Sequence, residues 1–542
     1  MKEITNPGKA IKQCLAPLFL AAALVVAAVV IFRAAWLCDD AYITFRVVEN
    51  FVAGDGLRWN VAERVQVFTH PLWCLTLIAV RLVSGELPLS TILVSWFLAV
   101  AAIAAAAPWR SRAPWLSACL LLLIPASRSV SEYATSGLEN ALGFLLIAVL
   151  LAMFKKPEIT GDTGFFLVVS LLVLTRHDLV LLAGPPAVAW LWFRRSHVKP
   201  KMVVLGTLPV VAWEAFSFVY YGSFLPNTAG AKLGSSDPLL DRLIQGLWYF
   251  GDFALHDPVG AGALVVALSL LVVRGDRRDR IIASGIVVYL AYVVWIGGDF
   301  MSGRFLAAPT FAAIAAAIGS VAAGAAVFTR PQRRWLGGAA AAMAVVGIGG
   351  FFPHSDQEPD ARGVGDARRF WADALSYEAL RDGRNVIRIG WVEQAILARN
   401  RAKPEVVIRG GLGLYGYYCG PTVHVIDKFA LADPLLSRLP ARAGSRIGHF
   451  ERRLPEGYVE SIATGRNLVA DPDLRAYYDD IRAASRDPVF APGRLGRLLA
   501  LNSGLADGRL DAYLEREGAW HRERVQWEPR TSSWTIEFFY VD

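Results

Sequence analysis

From residue 15 to residue 351 the chain is a succession of apolar runs, each long enough to span or nearly span the roughly 30 Å hydrocarbon core of a bilayer. Beyond residue 352 the pattern changes abruptly to mixed charged and polar, which predicts a soluble domain of ordinary size. The expected division is therefore a transmembrane module over 1–351 and a C-terminal domain over 352–542. Within that domain, β-like apolar runs occur at "NVIRI", "EVVIRG", "TVHVID" and the terminal "SWTIEFFYVD", and helical patterns at 366–382 and 472–485, so a mixed α/β fold is expected.

Composition agrees with this pattern: 55% of residues are hydrophobic and only 19% charged. That balance belongs to a polytopic membrane protein. The excess of 55 Lys and Arg over 47 Asp and Glu does not point to nucleic acid, because much of it lies in short loops between apolar segments. There it sets topology. Basic clusters occur at Lys2/Lys9/Lys12, Arg110/Arg112, Lys155/Lys156, Arg194/Arg195/Lys199/Lys201, Arg274/Arg277/Arg278/Arg280 and Arg330/Arg333/Arg334. Placing all of them in the cytoplasm gives spans at 15–36, 88–107, 115–127, 138–154, 164–175, 178–193, 202–220, 259–273, 281–297, 304–326 and 335–351, about eleven crossings of the plasma (inner) membrane with the C-terminal domain outside. The first run follows a basic segment like that of a signal peptide but is too long for one, and is expected to be a retained anchor. "PLWCLTLIAVRLVSG" (71–85) breaks the parity if it spans; with Arg81 inside it, an interfacial helix on the outer face is expected instead. The five cysteines are scattered, and neither disulfide nor metal ligation is inferred from them.

With this topology the unusual polar residues collect on one side, in "CDDAYITFR", "FTHPLW", "TSGLEN", "LTRHD", "YYGSFLPNTAGAKLG" and "GGDFMSGRF". Charges near the membrane are costly and mark functional sites by default. An external synthetic enzyme needs an activated donor that reaches it through lipid, and polyprenyl-phosphate sugars meet that need. Attack by a sugar hydroxyl requires a carboxylate to take the proton, and departure of a lipid phosphate requires cations or N–H donors. Asp39 and Asp40 are the candidate carboxylates, with Asp39 first, against the alternative of a solvated helix end. Arg304, Arg176, Lys232 and His70 are candidates for the phosphate. Asp178 accompanies Arg176, Asp299 is placed on sugar hydroxyls or as the partner of Arg304, and Asn227 leans towards substrate. The adjacent carboxylates could also hold Mg²⁺ or Ca²⁺, a question the residues leave open.

These motifs resemble a known family. "DDAYITFRVVENFVAGDGLRWNVAERVQVFTHPLW", "TSGLENAL", "YYGSFLPNTAGAKL", "YVVWIGGDFMSGRFLAAPTF", "GYYCGPTVHVIDKFALADPLLSRLP" and "RIGHFERRLPEGY" are similar, in the same order, to segments of the mycobacterial-type terminal β-(1→2)-arabinofuranosyltransferases, membrane glycosyltransferases of the GT-C type. The resemblance implies a GT-C module of membrane helices with an external domain. It also implies a decaprenyl-phosphate arabinofuranose donor, an arabinan acceptor in the cell envelope, and an essential carboxylate in the first external loop, which falls on Asp39 and Asp40. A β-linked donor giving a β-linked product retains configuration, which needs a covalent intermediate or front-face attack. Glu139 is the best spare carboxylate for a second acidic role. The alternatives are a GT-C transferase of another sugar or acceptor, or a non-catalytic membrane scaffold or transporter.

Two further patterns are set aside. "GLGLYG" (411–416) fits G-x-G-x-x-G, but Pro421 leaves little room for the helix of a dinucleotide site, so a Gly-rich turn is expected. "DPD" (471–473) is expected to be a turn or a helix start. The small-residue runs "VAAGAAV" and "GGAAAAMAVVGIGG" are expected to be close-packing helix faces. In the C-terminal domain, Arg442, Arg446, Arg452 and Arg453 suit a carbohydrate chain or lipid head groups, with a solvated surface as the simpler expectation.

Overall fold

The computed structural model describes residues 7–517 other than 110, 112, 159, 234–237, 325–327, 351–358, 361, 384–385, 387–388 and 443. The expected strands at "NVIRI" and "SWTIEFFYVD", and the expected domain boundary at 351/352, lie wholly or largely outside the described residues. The chain divides into two compact units. One comprises 1–38, 86–210 and 239–382; the other comprises 39–85, 211–238 and 383–542.

The first unit is a helical bundle. Helices occupy each of the eleven segments expected to span, from Pro7–Arg33 to Arg330–Gly349. Four helices (Pro88–Ala106, Pro200–Tyr221, Arg277–Ile296 and Arg304–Ala323) are long and apolar enough to cross a membrane, and the pair Leu239–His256 and Pro258–Val273, bent by 110°, makes a possible fifth crossing. The remaining apolar helices are shorter. Leu239–His256 is not among the expected spans; its apolar residues alternate with Asp241, Arg242 and Asp252 on a two-faced surface, so uniform hydropathy does not reveal it.

Arg304–Ala323 is the most enclosed of these four helices, with 78% of its span buried. Its alanines allow neighbouring helices to approach closely, as small residues do between helices in lipid. Gly347, in the expected small-residue face, is a direct case: a Cβ there would stand 2.4 Å from the Ala126 carbonyl oxygen. Asp276 and Asp279 form a capping box that starts Arg277–Ile296. Lys155 pairs with Asp279 at 2.5 Å, so the basic cluster at 155/156 is tied into the bundle.

The second unit is discontinuous in sequence. At its centre is a two-stranded parallel sheet, β1 (Glu405–Arg409) and β2 (Val423–Asp427), in register from Glu405 opposite Val423 to Arg409 opposite Asp427. Both strands fall on runs expected to be β. The segment between them holds the helix Gly413–Cys419 rather than a Gly-rich turn. Seven residues suffice for that helix, and it ends at Gly420, whose φ of 77° lets the chain turn before Pro421. The "DPD" segment starts a helix as expected: Asp471 caps Pro472–Arg486 by accepting from the Asp473 and Leu474 amides.

The core of this unit gathers Tyr458, Tyr477, Leu474, Leu435, Leu436 and Ile426. Buried arginines hold its loops through backbone carbonyls. Arg452 donates to the carbonyls of Leu439 at 2.8 Å and Ala231 at 2.6 Å. Arg64 and Arg494 both donate to the carbonyls of Tyr220 and Ala484. Arg452 is thus an internal tie and not solvated surface. The Pro71–Ser84 helix belongs to the same unit; its 14 residues reach only about 21 Å at 1.5 Å per residue. Arg81 within it is neutralised by Glu49 at 2.8 Å.

Candidate functional site

The sequence motifs converge on two centres, one in each unit. The second unit holds the aspartates. Asp39 and Asp40 open the helix Asp39–Val52, and both are half-buried. Asp39 accepts the Gly413 amide on Oδ2 at 3.0 Å and the Leu414 amide on Oδ1 at 2.8 Å. Burial pushes the Asp39 carboxyl up to about 6; the neighbouring Asp40 adds to that rise, and the two amide bonds restrain it. A carboxylate tuned to that value is charged at neutral pH yet basic enough to accept a proton.

His70, one residue before the Pro71–Ser84 helix, is buried and shares a 2.9 Å hydrogen bond with Thr44, one turn along from Asp40. Asn227 is engaged by groups of the protein itself. Its Nδ2 donates to the carbonyls of Ala430, Leu431 and Asp433 at 2.9–3.1 Å, and its Oδ1 accepts from Ser437. Its backbone amide donates to Gln66. Asn227 therefore joins "YYGSFLPNTAGAKL" to "KFALADPLLSRLP" as a structural tie. Lys232 is half-buried in the short helix Asn227–Leu233.

The first unit holds the arginines. Arg176, between Asp162–Thr175 and the turn His177–Leu179, grips Asp178 through Nε at 3.0 Å and Nη2 at 2.5 Å. Its Nε also lies 3.6 Å from Glu139. Tyr289 completes the group by donating to Asp178 at 3.1 Å. Arg304 at the start of Arg304–Ala323 pairs with Asp299 at 3.3 Å. The guanidinium carbons of Arg176 and Arg304 lie 4.7 and 5.8 Å from the centre of the same ring, Phe305. "TSGLEN", "LTRHD" and "GGDFMSGRF" are thereby brought together. Glu139, Arg176, Asp299 and Arg304 are all buried, and Arg176 Nη1 has no hydrogen-bond partner among the described residues.

Among the described residues no three His, Cys, Asp or Glu side chains gather as a metal-binding group. Asp39 has amide N–H donors on both oxygens, a donor set suited to a hydrogen-bonded carboxylate, and no metal step is assigned to it.

Sequence reasoning missed three contributors to the aspartate centre: the amides of Gly413 and Leu414, and Arg46. The only local signal was the glycine spacing of "GLGLYG". A methyl at Gly413 would stand 1.8 Å from the Asp39 carbonyl oxygen, so this glycine is required by close approach.

The apolar helices mark a multi-pass membrane protein, which carries a half-buried aspartate pair and a buried group of carboxylates and guanidiniums. The chain is a distant homologue of two proteins named terminal β-(1→2)-arabinofuranosyltransferase. With that of Mycobacterium tuberculosis it shares 26% identity over 82% of this chain and 84% of the relative. With that of Corynebacterium glutamicum it shares 25% identity over 79% of this chain and 75% of the relative. No family model matches the chain, and no solved structure matches it.

Proposed function

We propose that the protein is a GT-C membrane glycosyltransferase that moves arabinofuranose from a decaprenyl-type polyprenyl phosphate to the end of an envelope arabinan. In this reading about eleven helices cross the plasma membrane and the C-terminal domain lies outside. The observation that carries it is the homology to arabinofuranosyltransferases over four fifths of the chain. The chemistry of the two centres supports it.

In the transfer the bond between the sugar C1 and the phosphate oxygen breaks, and a bond from C1 to an acceptor hydroxyl oxygen forms. The acceptor proton passes to Asp39, and polyprenyl phosphate leaves as the anion. Arg176 and Arg304 are the groups for that anion. Each is already held against a carboxylate, and Arg176 keeps a buried donor, Nη1, without a partner among the described residues. Guanidinium suits phosphate because its planar donors match two oxygens at once. Glu139 orients Arg176 and is the reserve carboxylate for a retaining course. Asp40 raises the basicity of Asp39 through like charge. His70 and Lys232 assist with donor or acceptor oxygens.

The test is transfer of radiolabelled sugar from polyprenyl-phosphate arabinofuranose to a synthetic arabinan, in membranes carrying wild type or Asp39→Asn. The expected result is transfer by wild type and a loss of about 10²–10⁴-fold in the variant at equal protein level. Wild type inactive on every arabinan, with sound donor and protein, would remove the donor or acceptor from the proposal.

A further inference from the structure

The Gly413–Cys419 helix hydrogen-bonds Asp39 through two backbone amides at close approach. Gly413 has no side chain, and a Cβ there would meet not only the Asp39 carbonyl oxygen at 1.8 Å but also the carboxylate carbon at 2.7 Å. The two amides reach different oxygens of the same carboxylate.

The helix is fixed from its other end by Arg46, which is buried on the Asp39–Val52 helix. Arg46 donates to the Gly416 carbonyl at 2.7 Å, to Cys419 Sγ at 3.0 Å, to the Val423 carbonyl at 2.8 Å and to the Trp59 carbonyl at 2.7 Å. Its guanidinium also lies 4.5 Å from the Trp59 ring centre. Gly416 gives the second close approach, since a Cβ there would stand 2.6 Å from Trp59. One helix carrying both Asp39 and Arg46 therefore clamps the other at both ends.

We propose that Gly413, Leu414 and Arg46 are positioning residues for the transfer: they hold the Asp39 carboxylate in one orientation and set the pH at which it accepts the acceptor proton. This rests on the reading of Asp39 as the base. Two N–H bonds leave part of the carboxylate's acceptor capacity free, since two oxygens offer about four lone-pair sites. The bonds favour the charged form and so lower the pH at which the base becomes active. Few other groups compete for this control. Asp40 is the charged neighbour on the same helix. The Gly413–Cys419 helix contributes tyrosines and Cys419, the Pro71–Ser84 helix contributes Arg81, which is paired with Glu49, and His70 is bonded to Thr44.

The experiment compares the pH dependence of kcat/KM, and the KM for donor, in wild type, in Gly413→Ala, and in a protein whose Leu414 peptide N–H is replaced by an ester oxygen. The ester deletes one donor and leaves every side chain in place. The expected result is an acid limb moved upward by about one pH unit, with lower kcat and unchanged donor KM, because losing a hydrogen bond to a charged group costs the charged form about that much. If Gly413→Ala does not fold, the ester variant decides. An unshifted acid limb in the folded ester variant, with Asp39→Asn inactive, overturns the positioning role and leaves the base intact. Full activity in Asp39→Asn overturns the base itself, and the positioning role with it.

Discussion

Buried arginines in the two units have opposite partners. In the helical bundle they face carboxylates: Arg176 meets Asp178 and Glu139, and Arg304 meets Asp299, as the half-buried Arg128 meets Glu132 and Asp366. In the second unit Arg46, Arg64, Arg452 and Arg494 face mainly backbone carbonyls, with Arg486 and buried Glu63 as the exception. A guanidinium on a carboxylate can exchange that anion for another, such as phosphate, with little change in geometry. A guanidinium enclosed by carbonyls has no anion to exchange and acts as a tie. The same residue type thus faces anions in one unit and backbone in the other, and burial alone does not separate them.

The largest effect is expected for Arg176→Met, which removes the cation that faces the Glu139 and Asp178 charges. Breaking a buried pair from one side costs about 3–5 kcal/mol, so thermal denaturation in detergent should show a marked loss, together with loss of transfer. Unchanged melting would mean that the pair is solvated and the contrast false. Next is the matched pair Arg304→Lys and Arg46→Lys. Lysine still offers a positive charge to phosphate at 304, so folding and some transfer should persist. At 46 a single ammonium cannot reach the carbonyls of Trp59, Gly416 and Val423 together, and unsatisfied buried groups cost about 1–3 kcal/mol each. Equal behaviour of the two variants would break the distinction. Asn227→Ala should lower stability by about 2 kcal/mol yet leave the donor and acceptor KM of the folded protein unchanged; a raised KM would restore Asn227 as a substrate contact.

A further effect is a pH dependence of the second unit. Burial pushes Asp427 and Asp433 up to about 7, from about 4 in the unfolded chain. Their protonated forms favour folding, so this stabilisation is present at low pH and lost as pH rises through about 7. Burial pushes His424 down to about 4, so its contribution is present above the ordinary imidazole value and is lost as pH falls. Two carboxyls outweigh one imidazole. Hydrogen exchange of β1 and β2, corrected for intrinsic rate, should therefore show greater protection at pH 5 than at pH 8, and Asp427→Asn should flatten the trend.

The helices were legible because each is encoded by its own hydropathy, from 15–36 to 335–351, and the two strands because "EVVIRG" and "TVHVID" are short apolar runs between turn formers. Leu239–His256 was hidden by its polar face. The partners of the site residues were less accessible. Glu139, Arg176, Asp299 and Arg304 could each be singled out as a costly charge, but no local pattern says that Arg176 and Arg304 share Phe305. The loop partners of Asn227 were hidden because a hydrogen-bonding side chain has the same composition whether it serves ligand, loop or both. The cradle of Asp39 was hidden because backbone amides have no letter in the sequence, and "GLGLYG" is better known for another use.

Asp39 and the amides that hold it are 374–375 positions apart. At about 5–20 residues per second of synthesis, the aspartate waits roughly 20–75 s for its partners to be made. Most of the helical bundle has left the ribosome before the carboxylate acquires its setting. A chain truncated between Arg304 and Gly413 would keep the acidic pair, Arg176 and Arg304 but lack the cradle. Order of manufacture thus makes completion of this centre a late event, after the apolar helices have been produced.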